Sequence, residues 1–342
     1  MSHSVDAYRE TSRRAARWIV ARQNPDGSFF DVEDGIGGYY KVPYALAVSG
    51  EVQEAVKLLE WVGAHHFTGE GDFRAPGRKA RAAFHDEWPV YGNAWLIQAA
   101  HRLGWFDLSF RGAEFLRRSQ SPSGGFIVLE RGQPYLEGVC TSWGGLAQLT
   151  VGNLESAARA IGCLQRLVEQ QPDPAKFYFR LTTDGELITK VPAEVELSYY
   201  VDSAQRKQVY YQPGIMLIFL CRYYLATRDE TVLETAQEVF DFTQRCADDV
   251  YRFPPSGKLG LGSALLASIT GRPEPRQAAE TVAQYLMDTQ IRNGCWSLPD
   301  EEVYRTIKNK NDPEIVMDIT AEFATFLCEI AGLLSGVPSR PA

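Results

Sequence analysis

The sequence predicts an all-α fold, an (α/α)6 toroid in which six inner helices are ringed by six outer ones. Three observations carry that expectation. Helical periodicity dominates the chain, and no run of alternating strand pattern interrupts it. The helical segments alternate between nearly all-apolar and amphipathic, as buried and solvent-facing layers require. One motif also recurs three times: an aromatic–aliphatic pair, three residues, Gln, three residues, Gly, one residue, an aromatic. It runs from Trp18-Ile19 through Gln23 and Gly27 to Phe29, and from Phe115-Leu116 through Gln120 and Gly124 to Phe126. Its third copy runs from Tyr285-Leu286 through Gln290 and Gly294 to Trp296. Such recurrence marks a repeat architecture. The first pair buries a helix, the Gln bonds the open helix end, the Gly permits positive φ, and the last aromatic pins the returning loop.

The first helix, 5–22, is amphipathic and has no hairpin partner unless a ring closes on it, which favours a toroid over an open solenoid. Apolar inner helices are expected at 41–49, 89–103, 139–150, 212–226, 259–270 and 316–335. Amphipathic outer helices are expected at 51–65, 108–120, 153–170, 229–246 and 275–290. Gly50, Gly104, Gly152 and Gly271 mark short turns within pairs. Asn153 suits an N-cap, Thr227 with Glu230 fits a capping box, and Pro213 and Pro275 suit first turns. The joins between pairs are long (66–88, 121–138, 171–211, 247–258 and 291–315), and loops of that size usually cover a pocket. Each inner helix follows a long join, so all six start on one face and the pocket opens there. The whole chain, 1–342, reads as one domain.

Composition narrows the function. A net charge of −8 leaves no basic stripe for nucleic acid. The 12% aromatic share suggests a pocket walled by rings. Cys140, Cys163, Cys221, Cys246, Cys295 and Cys328 lack CxxC or CxH spacing, which favours free core thiols in a reducing cytoplasm. Arg13, Arg14 and Arg17 are followed by no apolar core of signal-peptide length. The longest apolar stretch, Ile215 to Cys221, is too short for a membrane span. A small-molecule substrate is therefore the expected partner, with a homo-oligomer left open.

The three Gln–Gly–aromatic segments resemble the QW-type repeats of the terpenoid cyclase and protein prenyltransferase superfamily, which is built on α/α toroids. Related turns occur in carbohydrate-active toroids and in complement-like thioester domains. The catalytic motifs of the first superfamily are mostly missing. The nearest stretch to an Asp-x-Asp-Asp acid is Asp31-Val32-Glu33-Asp34, Asp248-Asp249 is only a fragment of DDxxD, and no zinc-ligand set maps. In order along the chain, Asp34, Tyr40, His85, Cys140 and Tyr210 or Tyr211 resemble the pocket residues of linalool dehydratase-isomerases, which are also (α/α)6 enzymes.

Polar and aromatic residues converge at the inner-helix starts, the pattern of a concave site with a few placed polar groups. His85-Asp86-Glu87-Trp88 is the densest titratable cluster. A carboxylate there is desolvated by rings and becomes a general acid, with His85 relaying the proton; the alternative for Asp86 or Glu87 is helix capping. Asp34 is a second acid, an orienter of a tyrosine, or an acidic turn. The expected substrate wall is Tyr39, Tyr40, Trp88, Tyr91, Asn93, Cys140, Trp143, Tyr210, Tyr211 and Gln212. Only one of each adjacent tyrosine pair is expected to face the cavity. Asp318 and Glu322 share a face of an apolar helix, where they line a cavity or pair with Lys or Arg. The same starts also carry Lys41, Tyr44, Glu137, Thr141, Lys258 and Thr320. His65-His66 is expected at the surface, away from the pocket, and Tyr304 to Asp312 as a lid or a mobile loop.

These residues imply a cofactor-independent, metal-free acid–base enzyme that cyclises, dehydrates or isomerises a small hydrophobic, terpenoid- or polyketide-like molecule. A carbohydrate-active hydrolase, lyase or epimerase is the first alternative, and a non-catalytic binding toroid the second.

Overall fold

A computed structural model of the chain describes residues 5–82, 84–130, 132–191, 199–305 and 307–336. Its inner ring consists of α2 (Val42–Ser49), α5 (Pro89–Arg102), α7 (Gly138–Thr150), α9 (Tyr211–Thr227), α11 (Gly257–Thr270) and α13 (Pro313–Ser335). The outer ring is α1 (Val5–Val20), α3 (Val52–His65), α6 (Phe106–Arg117), α8 (Leu154–Glu169), α10 (Glu230–Thr243) and α12 (Pro273–Thr289). A one-turn helix, α4 (Phe84–Glu87), precedes α5. Each inner helix packs on the next around the ring, and α13 meets both α1 and α2, so the ring is closed. Ser12 on α1 seals that closure from within, its hydroxyl donating to the Ala324 carbonyl of α13 at 2.8 Å. No described helix is long and apolar enough to cross a membrane.

The three recurring segments act as staples between outer helices. The Gln23 amide donates to Gly27 O and to Glu54 O of α3, both at 3.0 Å. Gln120 does the same to Gly124 O (2.8 Å) and to Ser156 O of α8 (2.9 Å). Gln290 reaches Gly294 O (2.9 Å) and Thr11 O of α1 (3.0 Å). Each staple therefore fastens the turn after one outer helix to the body of the next. Gly27, Gly124 and Gly294 all have φ near +100° (93, 99 and 106°), and an added Cβ would collide with the backbone of that next helix. In the second and third copies the closing aromatic is tied to the inner ring. Phe126 N–H donates to Thr141 Oγ1 (3.3 Å), and Trp296 N–H to Thr320 Oγ1 (3.1 Å). Thr141 and Thr320 thus hold turns.

The short turns fall at Gly50, Gly104, Gly152 and Gly271, all at positive φ. The fourth hairpin turns instead on Arg228, at φ 61°, which the sequence pattern does not mark. Asn153 caps α8, its side chain accepting from Ser156 N–H. The capping box at Thr227 and Glu230 does not form. Asp229 is the N-cap of α10 and accepts from Thr231 N–H, while the Thr227 hydroxyl turns back to Tyr223 O. A carboxylate placed directly before the first turn outcompetes a threonine two residues earlier.

Short strands occupy the long joins, where none was expected. β1 (Ile127–Glu130), β2 (Gln133–Glu137) and β4 (Arg180–Leu181) form an antiparallel sheet, and β3 (Lys176–Tyr178) pairs with β5 (Tyr200–Asp202). Strands of two to five residues are too short to show alternation. They matter to the site because β2 runs directly into α7 and delivers Glu137 to the start of that helix, opposite Arg180 in register.

Candidate active site at the toroid axis

Near the starts of three adjacent inner helices, α11, α13 and α2, buried charges form a chain. Lys41 immediately precedes α2, Lys258 sits in the first turn of α11, and Asp318 and Glu322 lie one turn apart on α13. Glu322 Oε2 accepts from the Lys41 ammonium and from Tyr91 OH (3.2 Å), and Glu322 Oε1 accepts from Lys258 at 2.5 Å. Lys41 also lies 3.0 Å from the Asp318 carboxylate, which is hydrogen-bonded to Tyr40. Tyr91 lies edge-on to Tyr40 with centroids 5.5 Å apart. The Lys41 and Lys258 ammoniums lie 5.4 and 5.7 Å from its ring.

Burial of charge costs several kcal/mol per ion unless partners compensate, so the protonation states follow from the pairings. Burial opposes the charge on Glu322, but Lys258 and Lys41 hold its carboxyl down at about 2. Burial likewise opposes charge on Lys41, and the Asp318 and Glu322 carboxylates more than offset it, leaving the amine above its ordinary value. Asp318 goes the other way. Burial raises its carboxyl above the ordinary range, Lys41 opposes, and Glu322 adds to the rise. Its side chain keeps 17% of its surface open. The neighbouring inner helices contribute Glu137 and Gln212, whose amide donates to Glu137 Oε1, and Tyr211, whose ring lies 5.9 Å from the Lys258 ammonium. Trp143 closes the wall edge-on to Tyr91, centroids 5.7 Å apart.

The expected residues divide between this axis and the layer behind it. In both adjacent tyrosine pairs the second member belongs to the axis. Tyr39 instead packs towards the outer ring, its OH 2.6 Å from His66 Nε2 and its ring edge-on to Trp61. Tyr210 OH donates to Asp249 Oδ1 at 2.8 Å. His66 is accordingly buried, not at the surface, and burial lowers its imidazole to about 4. It also lies on the same face as the pocket, because α3 ends where the join to α5 begins. Asn93 is buried against Asp72, donating at 2.9 Å, and Asp72 also pairs with Lys79.

The acid expected at Asp86 or Glu87 is not desolvated as anticipated. Asp86 is exposed and accepts from Lys79 N–H at 3.3 Å, and Glu87 is half-buried beside Trp88. His85 is buried against Tyr40 (centroids 5.2 Å apart), and burial, with Lys41 and Lys79 nearby, pushes it down to about 3. It is therefore neutral. Asp34 stands on the rim, 3.8 Å from Arg78 and 3.9 Å from Arg81. Cys140 is fully buried; burial, then the Glu137 charge, pushes its thiol well up, so it is not a thiolate.

Lys41, Lys258 and Glu137 carry more of the site than their sequence context indicates, and Glu314 is a further buried carboxyl that no sequence pattern marks. Burial lifts the Glu314 carboxyl to about 7 against the opposing Arg81 charge. A lysine at the start of an apolar buried helix was the available signal, since only a partner or a ligand explains it. Among the described residues, no group of three or more His, Cys, Asp or Glu is arranged to hold a metal ion.

No protein-family model matches the chain, and neither does any curated protein. Solved structures do share its fold. D-mannose isomerase superposes with a TM-score of 0.68 at 12% identity, over 95% of this chain and 96% of that one. A GH76 α-mannanase from Bacteroides thetaiotaomicron gives 0.64 at 12% identity, over 96% and 97%. A type II terpene cyclase from Scytonema, in complex with geranylgeranyl dihydroxybenzoate, gives 0.57 at 13%, over 96% and 99%. The chain thus has the (α/α)6 toroid fold common to these proteins.

Proposed function

We propose that the chain is an acid–base enzyme acting at the toroid axis on a hydroxylated substrate, a sugar or glycoside. The observation that carries this reading is the Lys41–Glu322–Lys258 chain with Asp318 beside it. Two ammoniums and two carboxyl groups, paired with one another, can also exchange hydrogen bonds with a polyol, which a hydrocarbon cannot offer. The charges also argue against a carbocation route. An ammonium about 5 Å from the Tyr91 ring occupies the π surface that would shelter a cation, and it repels that cation directly. On these grounds we favour the carbohydrate-active alternative over the hydrophobic-molecule expectation. The mannose isomerase and mannanase among the similar structures support it by analogy of fold.

In this reading Asp318, whose carboxyl burial raises against the opposing Lys41 charge, donates a proton to the reacting oxygen, and Tyr40 orients it. Glu322 remains ionised and fixes Lys41 and Lys258 as hydroxyl donors. Glu137, on the α7 side, is the second carboxylate that glycoside hydrolysis or sugar isomerisation requires as base.

The test is a panel of D-mannose, α-1,6-mannotriose and geranylgeranyl dihydroxybenzoate, each incubated with the protein and followed by NMR. Conversion of a sugar is expected, with Asp318→Asn lowering the rate by about 100-fold or more while the helical circular dichroism is kept. Conversion of the terpenoid alone, or an Asp318→Asn variant as fast as the parent, overturns the reading.

A further inference from the structure

The closing aromatics of the three staples are not equivalent. Phe126 and Trp296 are fully buried and tied through their N–H groups to a threonine of the inner ring. Phe29, their counterpart in the first copy, has no such tie among the described residues and is only half-buried. A cavity of about 550 Å³ opens beside it. Where one copy of a repeat breaks a rule that the others keep, a role other than folding is to be sought.

The cavity draws its walls from both ends of the chain. Trp18 of α1 with Phe29 and Phe30 forms one, Ile291 of the third staple turn a second, and Val316 and Met317 of α13 a third. Phe30 is fixed from behind. Its ring stacks on Tyr39 (centroids 6.5 Å apart, 16° between planes), and a Cβ on Gly38 would collide with it. That same Cβ would stand 3.0 Å from Cγ of Glu314, so Phe30 and Gly38 partition the cavity from the carboxylate face of α13. A ring-walled space of this volume falls in the range that holds a small organic ligand.

Its polar groups choose the charge. Among the described residues that line the cavity, Arg22 is a cation and none is Asp or Glu. The Arg22 guanidinium lies 3.8 Å from the Trp18 ring centroid, and its Nη1 donates to Trp18 O at 2.8 Å. The stack holds the guanidinium plane and leaves Nε and Nη2 without a bonded partner among the described residues. Asn293 uses its Oδ1 to accept from Cys295 N–H (3.2 Å), which leaves its amide N–H groups as donors. Asp312, between the lining residues Asn311 and Pro313, is engaged elsewhere: it accepts from Glu314 N–H and from Arg81, at 3.0 and 3.3 Å. A free fork of donors without an acid selects an anion, even in a chain of net charge −8, and the rings select an apolar body.

We propose that this cavity is a second ligand site, separate from the axis, for a small organic carboxylate with an aromatic body: the carboxylate meets Arg22 and Asn293, and the body lies among Trp18, Phe29 and Phe30. Its walls meet only when α1 docks on α13, so occupancy is linked to closure of the ring. The inference does not rest on the carbohydrate reading.

Calorimetric titration with naphthylacetate, and with naphthylacetamide as its uncharged isostere, tests the proposal. The acid should bind saturably and about 10-fold more tightly than the amide, the scale of one charge-assisted pair at an exposed lip. Arg22→Met should bring the acid to the Kd of the amide. Val316→Trp fills the cavity and should abolish binding of both. In the parent, bound acid should raise Tm and slow amide exchange over 291–297 and 313–317 but not over α8. Absence of saturable binding by the acid, or exchange unaltered in those two segments, overturns the site whether or not Val316→Trp folds. An acid no tighter than the amide, or an advantage that survives in Arg22→Met, overturns the assignment to an anion. None of these measurements involves turnover, so a failure of the carbohydrate reading would be seen separately.

Discussion

Gly124 and Gly50 have nearly the same backbone, φ +99° and +96°, in very different surroundings. A Cβ at Gly50 meets nothing within 4 Å, whereas at Gly124 it would lie 2.1 Å from the carbonyl oxygen of Arg159 on α8. Gly50→Ala should therefore cost only the positive-φ penalty, about 1–2 kcal/mol. Gly124→Ala pays that too, and the turn must also withdraw from α8 by about 1 Å to restore a C···O contact of roughly 3.3 Å. The withdrawal strains the Gln120 amide bonds to Gly124 O (2.8 Å) and Ser156 O (2.9 Å). Two such bonds contribute about 1 kcal/mol each, giving a total of about 3–4 kcal/mol. At about 2.1 cal/mol/K per residue over 342 residues, this corresponds to a Tm loss of about 5 °C against about 2 °C for Gly50→Ala. Urea unfolding at matched m values and calorimetry measure the pair. Equal losses would mean that the glycine is kept for its φ alone and that the staple bears no load.

Two further perturbations probe the buried charges. The Glu314 carboxyl is raised from 4.5 to about 7, so its contribution to stability is full below about pH 4.5 and is lost as pH rises through 7. Glu314→Gln should consequently match the parent in urea midpoint at pH 4 and exceed it by up to about 3 kcal/mol at pH 8; a difference that does not change with pH refutes the assignment. Lys41→Met leaves Asp318 and Glu322 short of a partner and should cost about 3–5 kcal/mol. Adding Asp318→Asn should recover more than about 1 kcal/mol of that in a double-mutant cycle, whereas strict additivity would show that the two side chains are not coupled.

The ring was legible in the sequence because its determinants are local. Alternating helix character, the Gly turns and the Gln–Gly–aromatic segments each report on a dozen neighbouring residues, and together they located all twelve ring helices. The site was legible only to the level of helix starts. Periodicity places Tyr39 and Tyr40 at the same start but cannot rotate the helix, so it does not say that Tyr39 meets His66 while Tyr40 meets Asp318. His85-Asp86-Glu87 drew attention through density of titratable groups, yet exposure, not density, decides what is desolvated, and Asp86 is exposed. Lys41, Lys258 and Glu322 lie in three helices separated by more than 60 residues, and their convergence depends on the closure of the ring. No single window contains it.

That closure has a kinetic side. The Gln290–Thr11 staple joins residues 279 apart, and Arg9 bonds Ser335 across 326. Neither contact can form until the intervening hairpins are in place, and the entropy of bringing such distant segments together is spent before it is rewarded. An open array of hairpins frays from its terminal repeats, but a closed ring has no terminal repeat. The axial charges, shared among the first, fifth and sixth inner helices, are assembled only by that last docking step. A chain folded everywhere except at the α1–α13 seam would retain most of its helix and lack a finished site.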